Sequence, residues 1–226
     1  MKIKKLIFVL LMPILAYSQD WANLGKYQAK NTELKMTSNY KERVVFMGNS
    51  ITEGWLNARP EFFADKRYIN RGIGGQTTPQ MLLRFRQDVI NLSPAVVVIL
   101  AGINDIAENT GPITLNMIAD NITSMVQLAI ANNIKVILCS VLPAKDFPWR
   151  PGLEPGKKVI QLNELLKACA QKYKIRYLDY YNAMVDDSEG LKADLGYDGV
   201  HPNSEGYVIM EKILEPAISE VLKNMK

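Results

Sequence analysis

Five short runs of apolar and β-branched residues punctuate the chain, at Val44–Met47, Tyr68–Asn70, Ala95–Ala101, Lys135–Ser140 and Arg176–Asp179. The third, PAVVVILAG, is apolar without alternation, the pattern of a strand covered on both faces. Between the runs lie segments of helical period. Pro79–Leu92 carries Met81, Leu82, Phe85 and Val89 on one stripe, and Thr114–Asn132, Gly156–Tyr173 and Asn203–Asn224 are similar. Residues 20–40 are expected to form a helix leading into the first strand. Strands alternating with helices across short links predict an α/β fold, a three-layer α/β/α sandwich around a five-stranded parallel sheet. The longest irregular stretch, LPAKDFPWRPGLEPG at residues 142–156, is too rich in proline to be regular.

The amino terminus reads MKIKKLIFVLLMPILAYS, with three lysines before an apolar run from Leu6 to Ala16 and a small-x-small ending at Ser18. This predicts a signal peptide over residues 1–18, export to a periplasm or beyond, and one domain over residues 19–226. The run is broken by Pro13 and falls short of the ~20 apolar residues of a membrane span, so no stable membrane insertion is expected. Cleavage removes Lys2, Lys4 and Lys5 and takes the formal charge from +4 to +1. A near-neutral chain has no basic footprint for nucleic acid. Cys139 and Cys169 both sit in apolar or helical runs and read as buried free thiols, although an oxidising compartment would permit a bridge.

In such sheets ligands bind beyond the carboxyl ends of the strands, where strand order reverses. The first strand is followed by GNSITEGW, which sets Ser50 where a helix would begin. Ser50-Ile51-Thr52-Glu53 is also a capping box, and Thr52 in the last glycine position excludes the G-x-S-x-G elbow. The second strand is followed by NRGIGGQTT, where a dinucleotide fingerprint would need glycine at position 77 and Thr77 stands instead. A glycine-rich loop can instead turn a backbone N–H toward a ligand oxygen. The third strand is followed by LAGINDIAENTG, in which Asn104 either caps a turn or offers a side-chain amide. In the flavodoxin-like order 2-1-3-4-5, a hydroxyl at the end of strand one is flanked by both amides. The one histidine of the chain, His201, lies three residues after Asp198 in DGVHPNSEGY. Asp198 could accept from Nδ1–H and leave Nε2 to take a proton from Ser50. One histidine among scattered carboxylates makes no plausible transition-metal site, so neither metal nor cofactor is expected.

GNSIT, GIGGQTT, GIND and DGVH, in that order, resemble the four blocks of the GDSL or SGNH-hydrolase family of esterases and lipases, across about residues 43–222. The resemblance implies Ser50 as nucleophile, with Asp198 and His201 completing a triad. It implies oxyanion donors on Ser50, Gly75 and Asn104, with Gly75 preferred to Gly74 because Ile73-Gly74-Gly75 aligns with the second block. Asn49 stands where the family has aspartate; its Oδ1 can still accept a hydrogen bond but brings no charge. Asn49, Trp55 and Trp149, with Phe147, are candidate substrate contacts. No long apolar lid is evident, which favours a short acyl group. The expected activity is removal of acetyl groups from carbohydrate; lysophospholipid or thioester hydrolysis and a catalytically silent sugar-binding module are the alternatives. A small-molecule or glycan ester is the expected partner, and the oligomeric state is left open.

Overall fold

The protein is described here by a computed structural model covering residues 20–36 and 42–225. The predicted leader and residues 37–41 lie outside the described residues. The strands are β1 (Val44–Gly48), β2 (Tyr68–Gly72), β3 (Val96–Leu100), β4 (Lys135–Cys139) and β5 (Arg176–Leu178). All pairings are parallel, in the order β2-β1-β3-β4-β5. The helices are α1 (Gln28–Met36), α2 (Ser50–Ala58), α3 (Thr78–Asp88), α4 (Ile103–Ile106), α5 (Leu115–Ala131), α6 (Pro155–Tyr173), α7 (Tyr181–Met184) and α8 (Ser204–Lys223). Right-handed crossovers send α2 to one face of the sheet and α3, α5 and α6 to the other, because strand order reverses after β2. α3, α5 and α6 pack side by side, and α8 packs with α2.

The chemistry of the strands explains this layering. β1 (VVFMG) and β3 (VVVIL) are buried along their whole length, and each buried aliphatic side chain of β3 contributes ~1.5–3 kcal/mol. Helix ends follow local capping. Thr114 accepts from the Met117 N–H at the start of α5, and Asn203 from the Gly206 N–H at the start of α8. The predicted helix Pro79–Leu92 is shorter than its period suggested. Val89 leaves helical geometry, and Ile90–Leu92 form a separate 3-10 turn. Cys139 and Cys169 are free and buried, and burial pushes the Cys139 thiol up to about 12. Among the described residues no helix is long and apolar enough to cross a membrane.

The largest polar side chain buried by α3 is an arginine. Arg84 is fully buried beside Met81 and Phe85. Its guanidinium donates to Gly48 O at 3.0 Å, Arg71 O at 2.9 Å, Gln76 Oε1 at 2.5 Å and Asp88 Oδ2 at 3.0 Å. Burial drives its pKa below the ordinary arginine value, against the pull of Asp88. The buried cation is tolerable because every partner is present. Arg84→Met should therefore lower unfolding free energy by about 3–5 kcal/mol in urea titrations, since it removes the cation beside buried Asp88 and a donor from three further acceptors at once. A loss below about 1 kcal/mol would show that the strand ends do not depend on this guanidinium.

Candidate active site

The ladder register brings the carboxyl ends of three strands level, with Gly48 opposite both Gly72 and Leu100. The chain after each therefore emerges at one edge of the sheet. α2 follows β1 after a single residue, Asn49. That residue is the helix cap: its side chain accepts from Ile51 N–H at 3.1 Å. Ser50 is thus not the cap that Ser-Ile-Thr-Glu suggested. It occupies the first helical position, which leaves its hydroxyl for other work. Tight packing of α2 on β2 needs Gly72, where a Cβ would come within 2.1 Å of the Glu53 nitrogen.

His201 reaches Ser50 across 151 positions of sequence. It stands two residues before the cap of α8, and α8 is bolted to α2. The Tyr207 hydroxyl donates to Ile51 O at 2.8 Å, and Glu211 accepts from Trp55 Nε1 at 3.0 Å and from Arg59. Ser50 Oγ then lies 2.9 Å from His201 Nε2, and His201 Nδ1 lies 2.7 Å from Asp198 Oδ2. A carboxylate can only accept, so Nδ1 carries the proton and Nε2 is free to accept from the serine hydroxyl. Asp198 Oδ1 accepts from the backbone N–H of Val200 at 3.0 Å and of His201 at 2.7 Å. Partial burial raises the Asp198 pKa, but these N–H groups and the imidazole outweigh it and hold the carboxyl below its usual range.

The loops after β2 and β3 are tied to each other. Asn104 is buried, and its Nδ2 donates one hydrogen to Gln76 O at 3.0 Å, which fixes the amide and leaves its second hydrogen unassigned. Asn109 Nδ2 donates to Gly75 O at 3.2 Å. Gly75 has φ +75°, the left-handed region that favours glycine. The neighbouring Gly74 N–H donates to Glu53 Oε2 at 2.6 Å, so it is already engaged, while Gly75 N–H has no protein acceptor among the described residues. Gly74 lies against the serine, since a Cβ there would sit 3.8 Å from Ser50 Cβ. Asp105 closes the arrangement. Its carboxylate accepts from Thr78 N–H at 2.9 Å and Thr78 Oγ1 at 2.6 Å, at the amino end of α3.

Of the proposed substrate contacts, three are buried. Trp55 is 2% exposed and stacks between Phe62 and Tyr207 in the core. Phe147 is fully buried. Asn49 is buried as the cap of α2. Trp149 is 44% exposed, with its ring 5.8 Å from the imidazole. Its loop is held by Arg150, which donates to Ala107 O and Glu108 O and pairs with the Glu108 carboxylate. Tyr197, which sequence reasoning passed over, is 71% exposed and stacks on His201 at 5.6 Å and 11°. Its position immediately before Asp198 was the available signal. Two aromatic rings thus lie next to the imidazole. Among the described residues no three His, Cys, Asp or Glu side chains gather as a metal-binding group.

A hydroxyl, an imidazole and a carboxylate in line, beside a left-handed glycine and an anchored asparagine amide, are the parts of an acyl-transfer site. The GDSL-like lipase/acylhydrolase family model matches residues 46–209, and the chain belongs to that family of carboxylic ester hydrolases. A putative acylhydrolase of Bacteroides fragilis is 53% identical, covers 90% of this chain and 99% of its own, and superposes with a TM-score of 0.87. A GDSL-like lipase of Bacteroides thetaiotaomicron is 50% identical, over 88% and 98%, with a TM-score of 0.85. Human platelet-activating factor acetylhydrolase IB subunit alpha2 is 29% identical over 190 residues, spanning 80% of this chain and 77% of its own.

Burial pushes the Asp105 carboxyl up to about 6, against the lowering effect of the Thr78 bonds. The unfolded group titrates near ~3.9, so between these values the native state binds more protons. The stability contributed by this carboxyl is full below about pH 4 and is lost as pH rises through about 6. The unfolding free energy of the native sequence minus that of Asp105→Asn should therefore fall between those pH values and then level. A difference constant with pH would contradict the assignment.

Proposed function

We propose that the protein is an exported serine esterase that removes short acyl groups, acetyl foremost, from carbohydrate. The observation that carries this reading is the line from Ser50 Oγ to His201 Nε2 to Asp198, with spacings of 2.9 Å and 2.7 Å. His201 takes the Ser50 proton as the oxygen attacks the ester carbonyl. The tetrahedral oxyanion is held by the N–H groups of Ser50 and Gly75 and the free amide hydrogen of Asn104. The first-turn N–H of α2 has no helical partner and so is available for this role. His201 then passes its proton to the departing alcohol, leaving an acyl-serine. Water attacks that ester with His201 again as base, the acid leaves, and Ser50 regains its proton. Asp198 holds the imidazole in the required tautomer throughout.

The substrate side rests on the rim. Trp149 and Tyr197 offer exposed aromatic rings next to His201, with centroids 5.8 Å and 5.6 Å from the imidazole. Such faces stack on sugar rings at little entropic cost. On the Asp198 side lies a cavity of about 580 Å³ bordered by Asp198, Gly199, Pro148, Pro151, Asp146 and Ser188, with both apolar and hydrogen-bonding walls. The acetyl preference agrees with the name of the human acetylhydrolase relative. Export follows from the leader at residues 1–18.

Turnover of p-nitrophenyl esters from acetate to palmitate by residues 19–226 tests this directly. Acetate should be preferred, Ser50→Ala and His201→Ala should each lower kcat by on the order of 10⁴-fold or more, and Asn104→Ala by ~10²–10³. A preference for palmitate would replace the carbohydrate reading by a lipid one, and undiminished turnover in His201→Ala would remove the triad.

A further inference from the structure

The chain ahead of β1 takes no part in the chemistry above, yet it is fastened to the loop that carries Gly75. Trp21 O accepts from Gln80 Nε2 and Ala22 O from Gln76 Nε2, each at 2.7 Å. The Tyr27 hydroxyl donates to Gly72 O at 2.5 Å. The Tyr27 ring lies under the Arg71 guanidinium, 4.6 Å away, and Asn31 Oδ1 accepts from Arg71 Nε at 2.9 Å. Lys26 pairs with Glu53 Oε1, while the other oxygen of the same carboxylate holds Gly74 N–H. Arg71, Gly72, Gly74 and Gln76 are therefore each gripped, directly or through Glu53, by residues 21–31.

We propose that residues 21–31 are a strap that positions the oxyanion loop, with Glu53 as its link. This rests on the reading of Gly75 and Asn104 as oxyanion donors. A loop reading Gly-Ile-Gly-Gly has wide conformational freedom, and a donor displaced by a fraction of an ångström loses much of its effect on the transition state. Engaging Gly74 N–H with Glu53 leaves Gly75 N–H as the donor that faces the reaction. Holding the Gln76 side chain from Ala22 and Arg84 fixes its carbonyl, and that carbonyl orients the Asn104 amide. The strap thus reaches both donors contributed from outside α2.

Stability is a poor explanation for Glu53. The Lys26 and Glu53 side chains are 30% and 37% exposed, and exposed pairs of this kind contribute little to folding. A positional role predicts a different signature from a stabilising one. Glu53→Gln keeps an acceptor for Gly74 N–H, whereas Glu53→Ala removes it.

Three readouts on Glu53→Ala and Glu53→Gln decide the matter: kcat and KM on p-nitrophenyl acetate, amide hydrogen exchange over residues 72–78, and Tm. Glu53→Ala should lower kcat about tenfold or more with KM within about twofold, and accelerate exchange over 72–78 with little change in Tm. Glu53→Gln, which keeps the acceptor for Gly74 N–H but not the ion pair with Lys26, should restore part of both. Unchanged exchange in Glu53→Ala would overturn the strap, and so would faster exchange with unaltered kcat, which makes the contacts structural only. Equal losses in both variants would also overturn it. A native protein inactive on every ester would end the esterase reading alone, and the exchange data would still judge whether Glu53 holds the loop.

Discussion

The fully buried guanidinium of Arg84 sets the frame on which the site is built. Arg84 cannot lie in the core without partners, because an unpaired buried charge costs several kcal/mol. Its partners are backbone oxygens at the ends of β1 and β2, the side chain of Gln76, and Asp88. Satisfying one cation therefore ties two strand ends and the start of the next loop to a point on α3. Gln76 passes that order on, since its carbonyl holds Asn104. A buried carboxylate, Asp105, fastens the loop after β3 to the start of α3 in the same way. Polar groups inside this core are positional devices, and the surrounding aliphatic residues supply most of the folding energy.

The opposite face supplies the other half. Ser50 begins α2 and His201 precedes α8, so the distance between hydroxyl and imidazole is set by how those helices pack. Tyr207, Glu211, Trp55 and Arg59 make that packing specific through hydrogen bonds between the two helices. Parallel register levels the strand ends, α3 steadies the loops that carry Gly75 and Asn104, and the packing of α8 places His201. Each is an ordinary structural preference, and the alignment of Ser50, His201 and Asp198 arises where they meet.

Much of this was legible in the sequence. The unalternating run of β3 and the alternation of strand and helix point to a parallel sheet. The lone histidine three residues after Asp198 had little structural reason to be there. What escaped was decided by direction and burial. Trp55 follows Ser50 closely in sequence, but five residues at 3.6 per turn carry it about 140° around α2, into the core. Asn49 looked like a ligand contact, yet a short polar side chain ahead of a first turn is drawn to cap it. Arg84 and Asp88 have the spacing of a solvent-exposed i, i+4 pair, and only the tertiary fold reveals that both are buried. Glu53 read as part of a capping box, and its real partner, Gly74, belongs to a different loop.

The most direct measurement is mass mapping of the acid-quenched protein during turnover of p-nitrophenyl acetate. One acetyl group is expected on the peptide containing Ser50, and none in His201→Ala. Steady hydrolysis with no acetyl on Ser50, or an acetyl group carried by another residue, would contradict it.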